Sequence, residues 1–171
     1  MAVDPRSIRA VVLDVDGVLT DGRIGYGGDD EIKFFDVKDG HAIKLLLRAG
    51  IKVGLLSGRA SAANRRRAQE LGLSFVYEGE KDKRAAFGRL LTQQTLTAEQ
   101  VLYMGDDLVD IPVLRAAGVG VAVADAGPEV QRGADWVTAA PGGHGAVREA
   151  AVWLLKEQGK WDELIARYTM E

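Results

Sequence analysis

Two aspartates end an apolar run near the start of the chain, in the segment VVLDVDGVLT. Val11 to Leu13 predict a buried parallel strand, so Asp14 and Asp16 would lie at its carboxyl end, where open α/β sheets bind their ligands. Two carboxylates this close repel each other, and an ionised pair at neutral pH indicates a bound cation or a shared proton. A hard divalent metal ion is the simplest answer, although this segment alone also fits a turn that caps a helix.

Three more polar segments follow later apolar runs, in the order LLSGR, GEKDKR and MGDDLVD. Ser57 and the amide of Gly58 would hold an anion where a helix begins, and Lys83 would supply a fixed positive charge. The last segment is strongly acidic through Asp106, Asp107 and Asp110. Taken singly, each residue has an ordinary structural interpretation. Ser57 also fits a helix cap, and Lys83 also fits a surface lysine, with Lys81 competing for its role. The three aspartates also fit the N-terminus of a helix, where acidic groups suit the helix dipole. Together they predict a phosphate site at one edge of a sheet.

The elements that must position these residues alternate between short apolar runs and longer helical stretches, which is typical of βαβ units around a parallel sheet. The predicted strands are 9–15, 51–57, 73–79, 100–106 and 119–125. The predicted helices between them are 39–50, 61–72, 81–94 and 108–118. Segment 21–36 predicts a β-hairpin with a Gly-Gly-Asp-Asp turn, which we call the flap. A glycine-rich loop, an amphipathic helix and then either a second short helix or a tail are predicted over about 144–171.

Composition narrows the class of protein. The 171-residue chain is 47% hydrophobic and 27% charged, with a net charge of -3 and no cysteine. We expect one domain over residues 1–171, with no disulfide, no thiolate chemistry and no broad nucleic-acid binding. Without a signal-peptide or membrane-span pattern, we expect a cytoplasmic protein with no membrane partner. The run Arg65 to Arg67 predicts a solvated helix face.

The four polar motifs resemble those of the haloacid dehalogenase superfamily phosphatases, in the same order. The resemblance implies a Rossmann-like, doubly wound parallel sheet and Mg²⁺-dependent phosphate ester hydrolysis. It implies that Asp14 is the nucleophile that forms an aspartyl phosphate, and that Asp16 is the general acid and then the base. It also implies Ser57 and Lys83 on the phosphoryl oxygens. A carboxylate and a phosphate dianion repel each other, so the carboxylate can attack only if cations lie near the site.

The same resemblance implies a ligand set for the metal ion. Asp14, Asp106 and the main-chain carbonyl of Asp16 would bind magnesium. Asp107 and Asp110 would lie near the ion and would either contact it through water or surround the residues that bind it.

The chain leaves no room for the cap domain that most small-molecule phosphatases of this superfamily carry. An uncovered site suits either a macromolecular substrate or a neighbouring subunit that closes the opening. Together with the segments LTDGRI, FDVKDG and GGHGAVRE, the capless organisation resembles the 3-deoxy-D-manno-octulosonate 8-phosphate phosphatases. That family implies a phosphorylated sugar acid from the lipopolysaccharide pathway as substrate. It also implies a homotetramer. From the residues themselves, the exposed edges of the flap predict that flap and tail lie at the subunit interfaces, which would hide Ile24, Tyr26, Phe34 and Phe35.

We expect cationic side chains beside the motifs to recognise the sugar acid. Arg59 and Lys38 are candidates for grasping a carboxylate. His144 stands where the family usually has arginine, in GGRGAVRE. It is either a substrate contact from the tail or an ordinary loop residue.

Three alternatives stay open. A related nonulosonate 9-phosphate is the nearest alternative substrate. A response-regulator receiver also phosphorylates an aspartate beside magnesium, but on a middle strand, and here the second and third strands end in Ser57 and Gly79. A catalytically silent binding subunit with the same fold is the third alternative, which measured turnover would exclude.

Overall fold

The structure is a computed structural model that describes residues 3–28 and 30–169. The strands in this part of the chain are β1 (Ala10–Leu13), β2 (Gly25–Gly27), β3 (Asp30–Ile32), β4 (Lys52–Leu56), β5 (Phe75–Tyr77), β6 (Val101–Gly105), β7 (Val119–Ala122) and β8 (Trp136–Val137). Six of them form a parallel sheet in the order β5-β4-β1-β6-β7-β8. The other two, β2 and β3, pair antiparallel as the flap.

The helices are α1 (Val37–Arg48), α2 (Ala62–Leu71), α3 (Lys83–Gln94), α4 (Ile111–Leu114), α5 (Pro128–Gln131), α6 (Ala146–Glu157) and α7 (Trp161–Thr169). Contacts of α1 with α2 and α6, and of α3 with α4, divide the main helices between the two faces of the sheet. This division is what right-handed crossovers produce. No helix within the described ranges has the length and apolar character needed to cross a bilayer.

The strand order fixes where a ligand can bind. Counted along the chain within the main sheet, the order is 3-2-1-4-5-6, which is that of a Rossmann-like doubly wound sheet. The predicted fold class is therefore confirmed. Response-regulator receivers have the order 2-1-3-4-5, so the chain does not have the receiver fold. The direction of winding reverses between β1 and β6, and the carboxyl ends of these two strands are where such a sheet opens a ligand crevice.

All five predicted strands are present, one predicted helix needs correction, and two short elements, β8 and α5, were not predicted. The edge strand β8 gives no sequence signal because it is half-buried and only two residues long, which is too short to show a period. The helix predicted over 108–118 is a 3-10 turn at Leu108–Asp110 followed by the single turn of α4. Asp110 turns its carboxylate back to the amides of Asp106 and Asp107, which tightens this start.

The flap is the only insertion among the described residues between β1 and α1, so the predicted absence of a cap holds for that part of the chain. Gly25 pairs with Ile32 and Gly27 with Asp30, while Asp29 of the predicted turn lies outside the described residues.

The prediction for the arginine run is wrong at one position. The side chain of Arg67 is only 13% exposed. It lies over the ring of Phe35 and donates a hydrogen bond to the carbonyl of Asp36 (3.2 Å). The reason is that this side of α2 faces the segment leaving the flap, whereas Arg65 and Arg66 are exposed.

Candidate active site

A buried lysine joins two of the predicted acidic residues. Asp14 follows β1 directly and is 6% exposed, while Lys83 begins α3 and is 3% exposed. The Nζ atom of Lys83 lies 2.8 Å from Asp14 Oδ2 and 2.6 Å from Asp110 Oδ1. Asp82 caps α3 by accepting a hydrogen bond from the amide of Ala85 (2.9 Å), which fixes the turn that carries the lysine. The surface interpretation of Lys83 is therefore wrong, and it is Lys81 that is exposed.

Asp110 is fully buried and accepts four hydrogen bonds. The donors are Lys83, the hydroxyl of Tyr103 and the amides of Asp106 and Asp107. With both oxygens engaged, Asp110 orients the lysine and the 106–107 turn, and it offers little to a metal ion.

Glycines allow two close approaches in this region. A Cβ at Gly105 would lie 2.5 Å from the Cβ of Asp110, and one at Gly17 would lie 2.0 Å from Asp106 Oδ2. Gly17 also has φ +89°, a left-handed conformation that favours glycine. The loop after β1 therefore lies directly against the Asp106 carboxylate only because position 17 has no side chain.

Three carboxylates converge beside this loop. One oxygen from each of Asp14, Asp106 and Asp110 lies within 4.8 Å of the other two. Asp106 Oδ1 is buried and has no hydrogen-bond partner within the described residues. A buried carboxylate oxygen without a donor, next to a second carboxylate, fits a hard divalent cation such as Mg²⁺, which prefers oxygen ligands.

Burial and mutual repulsion perturb these carboxyl groups. Burial, with the charges of Asp14 and Asp110, raises the pKa of Asp106 to about 8. Burial and Asp110 raise the pKa of Asp14 to about 6, against the opposing effect of Lys83. Burial alone would lower the pKa of Lys83, but the two carboxylates outweigh it and raise that pKa. Without a cation, Asp106 is therefore largely protonated at neutral pH, whereas Asp14 is largely ionised.

In the metal-free protein, we expect the melting temperature to fall as the pH rises from about 5.5 to about 8.5. The pKa values of about 6 for Asp14 and about 8 for Asp106 lie above the unfolded value near 4. Between these limits the native state binds more protons than the unfolded chain, so the free energy of unfolding decreases as pH rises. At about 100 times its dissociation constant, Mg²⁺ should add about 2.7 kcal/mol, or roughly 5 to 10 °C, and most at high pH.

Differential scanning calorimetry in EDTA and in Mg²⁺ measures both effects. The control is Asp106→Asn, which should lose the magnesium effect and most of the pH dependence. A metal-free melting temperature that rises over this pH range would contradict the assignment.

The side chain of Asp16 lies outside the three-carboxylate cluster and faces the flap. Lys33 donates a hydrogen bond to Asp16 Oδ2 (3.0 Å) and lies 2.7 Å from Oδ1. The Nε atom of Arg59 lies 3.9 Å from Oδ2. This placement leaves only the main chain of Asp16 as a candidate metal ligand, as the family resemblance implies.

Ser57 follows β4 and is 1% exposed. The helix cap of α2 is Ser61, whose hydroxyl accepts a hydrogen bond from the amide of Asn64 (3.1 Å), so the cap interpretation of Ser57 is wrong. Ser57 Oγ accepts a hydrogen bond only from the amide of Arg59 (3.3 Å) among the described residues. With the exposed Gly58 beside it, this hydroxyl remains able to donate to an anion.

The predicted sugar-acid contacts lie at the rim. The Arg59 side chain is 47% exposed and pairs with Glu31 of the flap. His144 is exposed in the loop before α6, and Lys38 is exposed on α1. None of the three is buried in the site.

Several residues that shape the site were missed by the sequence analysis. They are Glu31 and Lys33 of the flap, Asn64, Tyr103 and Gly142. The strongest sequence signal for any of them is Lys33, a charged residue directly before two phenylalanines in EIKFFD. A Cβ at Gly142 would lie 1.7 Å from the carbonyl oxygen of Gly17, so the glycine-rich loop also supports the first motif.

Residues 73–149 match the family model of a haloacid dehalogenase-like hydrolase. The 3-deoxy-D-manno-octulosonate 8-phosphate phosphatase of Escherichia coli K12 is 45% identical over 158 residues, covering 92% of this chain and 84% of that protein. The enzyme of the same name from Haemophilus influenzae is 46% identical over 155 residues, covering 90% and 86%.

Two solved structures that are similar to this chain are also described as phosphatases. A probable phosphatase from Pseudomonas syringae has a TM-score of 0.95 and 42% identity, over 98% of this chain and 96% of that one. The Moraxella catarrhalis 3-deoxy-D-manno-octulosonate 8-phosphate phosphatase, in complex with a magnesium ion, a phosphate ion and a KDO molecule, has a TM-score of 0.94 and 36% identity, over 97% and 96%.

Proposed function

Because the chain belongs to the 3-deoxy-D-manno-octulosonate 8-phosphate phosphatase family of haloacid dehalogenase-like hydrolases, we propose that it is a magnesium-dependent phosphomonoesterase. The proposed reaction converts 3-deoxy-D-manno-octulosonate 8-phosphate and water to 3-deoxy-D-manno-octulosonate and phosphate. The observation that carries the proposal is the meeting of Asp14, Asp106 and Lys83 where the winding of the sheet reverses. Asp14 follows β1, Asp106 follows β6 and Lys83 begins α3, and they would supply a nucleophile, a metal ligand and a cation.

In the first step, a carboxylate oxygen of Asp14 attacks phosphorus and the bond from phosphorus to the sugar oxygen breaks. Asp16 gives its proton to that leaving oxygen. In the second step, Asp16 takes a proton from water as the water attacks phosphorus, which releases phosphate and restores Asp14. Lys83 and Ser57 hold the phosphoryl oxygens, and the charge of Lys83 favours the ionised form of Asp14.

Asp14, Asp106 and the main-chain carbonyl of Asp16 would hold magnesium, which neutralises phosphate charge when bound. The unpartnered Oδ1 of Asp106 supports this ligand set. Asp110 supports it indirectly, since its four hydrogen bonds hold the 106–107 turn. Asp107 is exposed and would act through water.

We assign the sugar-acid end of the substrate to the rim formed by Gly58, Arg59 and His144. The half-exposed guanidinium of Arg59 is suited to a carboxylate. A set of phosphorylated sugars and sugar acids, compared by kcat/KM, tests the substrate. The eight-carbon sugar acid phosphate should be the best substrate. A higher kcat/KM for a nonulosonate 9-phosphate or for a neutral sugar phosphate would contradict the assignment.

We also propose a cytoplasmic homotetramer of single-domain subunits, with flap and tail at the interfaces. Four exposed apolar side chains on and beside the flap support this assembly: Tyr26, Ile32, Phe34 and Val37. Phe35 differs from its sequence prediction because it packs against the core of its own chain. Tyr168 of the tail accepts a hydrogen bond from Arg48 (2.7 Å), so α7 also packs within its own subunit.

Replacing both Tyr26 and Phe34 by serine should reduce the mass of the assembly below that of a tetramer. These side chains are 78% and 80% exposed, so the change removes apolar surface without opening a cavity in the subunit. Analytical ultracentrifugation measures the mass. The matched control is Val76→Ser on the edge strand β5, which should leave the mass unchanged. A double variant with the wild-type mass would exclude the flap as the interface.

A further inference from the structure

A lysine of the flap has no exposed side-chain surface. Lys33 follows β3, and its side chain is 0% exposed. Burying an ammonium group is costly unless it is paired and hydrogen-bonded. A lysine that leaves a surface hairpin would ordinarily extend into water, so this burial indicates a specific partner.

The partners of Lys33 connect the flap to two catalytic segments. Its Nζ atom donates hydrogen bonds to Asp16 Oδ2 (3.0 Å) and to Asn64 Oδ1 (3.1 Å). Asn64 is 1% exposed, and its side-chain amide donates to the carbonyl of Arg59 (3.3 Å). Lys33 therefore joins the loop after β1 to α2 and, through Asn64, to the segment that connects Ser57 to α2.

Asp16 has few other constraints on its carboxylate. Within the described residues, the only other cation near it is Arg59, 3.9 Å away and paired with Glu31. Glu31 also lies 3.7 Å from Lys33, so both cations that face Asp16 are held by the flap. Of the two, only the lysine is buried.

We infer that Lys33 is a positioning residue that holds the Asp16 carboxyl group toward the leaving oxygen. Proton transfer then depends on the flap being packed against Asp16 and Asn64. The inference deepens the proposed function and rests on the proposed acid and base role of Asp16. Asp16 donates its proton to the sugar oxygen as the bond to phosphorus breaks, and Lys33 fixes where that donor stands. Lys33 itself gains and loses no proton.

The test compares leaving groups. Methionine has nearly the length of lysine, so Lys33→Met keeps the buried volume and removes the hold on Asp16. General acid catalysis contributes about 10²- to 10⁴-fold. We expect kcat for an alkyl phosphate ester to fall at least about 30-fold, while kcat for p-nitrophenyl phosphate, whose leaving group needs no proton, falls less than about 5-fold. Equal losses on both esters would overturn the inference.

A double-mutant cycle with Asp16→Asn provides the second readout. If Lys33 acts through Asp16, then Lys33→Met should change kcat by less than about 2-fold when Asp16 is already asparagine. Losses that multiply in the double variant would overturn the inference. Lys33→Arg should restore part of the activity with the alkyl ester, because it returns a cation to Asp16.

Controls separate this inference from the proposed function. Lys52→Met changes an exposed lysine at the far end of β4 and should leave both esters unaffected. Should Lys33→Met not fold, Asn64→Leu removes the other bond to Lys33 and tests the same selectivity. A wild-type protein that hydrolyses neither ester would contradict the proposed function, whereas an active protein with unselective Lys33 and Asn64 variants would contradict only the inference.

Discussion

Asp14→Asn is expected to lower kcat by at least about 10⁴-fold, because the amide cannot attack phosphorus. The substitution preserves shape and removes one negative charge from a cluster that contains Asp106 and Asp110. The loss should therefore occur without a lower melting temperature in the metal-free protein. Phosphate release measures the activity, and circular dichroism with thermal unfolding measures the fold.

The matched control is Asp162→Asn, which makes the same change at an exposed position on α7. It should retain wild-type turnover. Mass spectrometry of the Asp14→Asn protein excludes conversion of the asparagine back to aspartate. A verified Asp14→Asn variant that keeps a tenth of the wild-type activity would remove Asp14 as the nucleophile.

Lys83→Met is expected to reduce both activity and stability. It leaves the buried carboxylates of Asp14 and Asp110 without their shared cation. Removing one partner from a buried ion pair costs about 3 kcal/mol, which corresponds to a melting temperature roughly 6 to 12 °C lower. Loss of the charge on the phosphoryl oxygens should lower kcat by about 10³-fold.

The pH profile adds an independent readout for Lys83. Because Lys83 lowers the pKa of Asp14, its removal should raise that pKa further and move the acidic limb of the kcat profile to higher pH. Lys81→Met is the matched control, since Lys81 lies two residues away in the chain and is exposed. A Lys83→Met variant with unchanged stability and an unchanged acidic limb would contradict the contacts assigned to Lys83.

The meeting of Asp14, Lys83, Asp106 and Asp110 was predictable from the sequence, because each follows an apolar run that becomes a strand of the parallel sheet. Parallel strands end at one edge, so residues far apart in the chain meet there without any further information. Strand order was not deducible from these runs, since it depends on pairings such as β1 with β6 that local patterns do not encode. The family resemblance supplied it.

The roles of individual side chains were harder to predict. Asp107 and Asp110 look equivalent in GDDLVD, yet one is exposed and the other is fully buried with four donors. The difference arises because the 3-10 turn at Leu108–Asp110 points Asp110 back at the sheet. Lys33 was missed for a similar reason, because its burial depends on how the flap lies over Asn64 and Asp16. Such contacts join distant segments and leave no periodic signal in the chain.

The most direct test of the account is to capture a phosphoryl group on Asp14. The Asp16→Asn variant lacks the proposed base, so the covalent intermediate should accumulate when the variant is mixed with p-nitrophenyl phosphate and magnesium and then quenched in acid. Peptide mass spectrometry is expected to find a hydroxylamine-sensitive phosphate on the peptide containing Asp14, and no phosphate on the Asp14→Asn, Asp16→Asn double variant. Release of p-nitrophenol with no protein-bound phosphate, or with phosphate on another residue, would contradict covalent catalysis by Asp14.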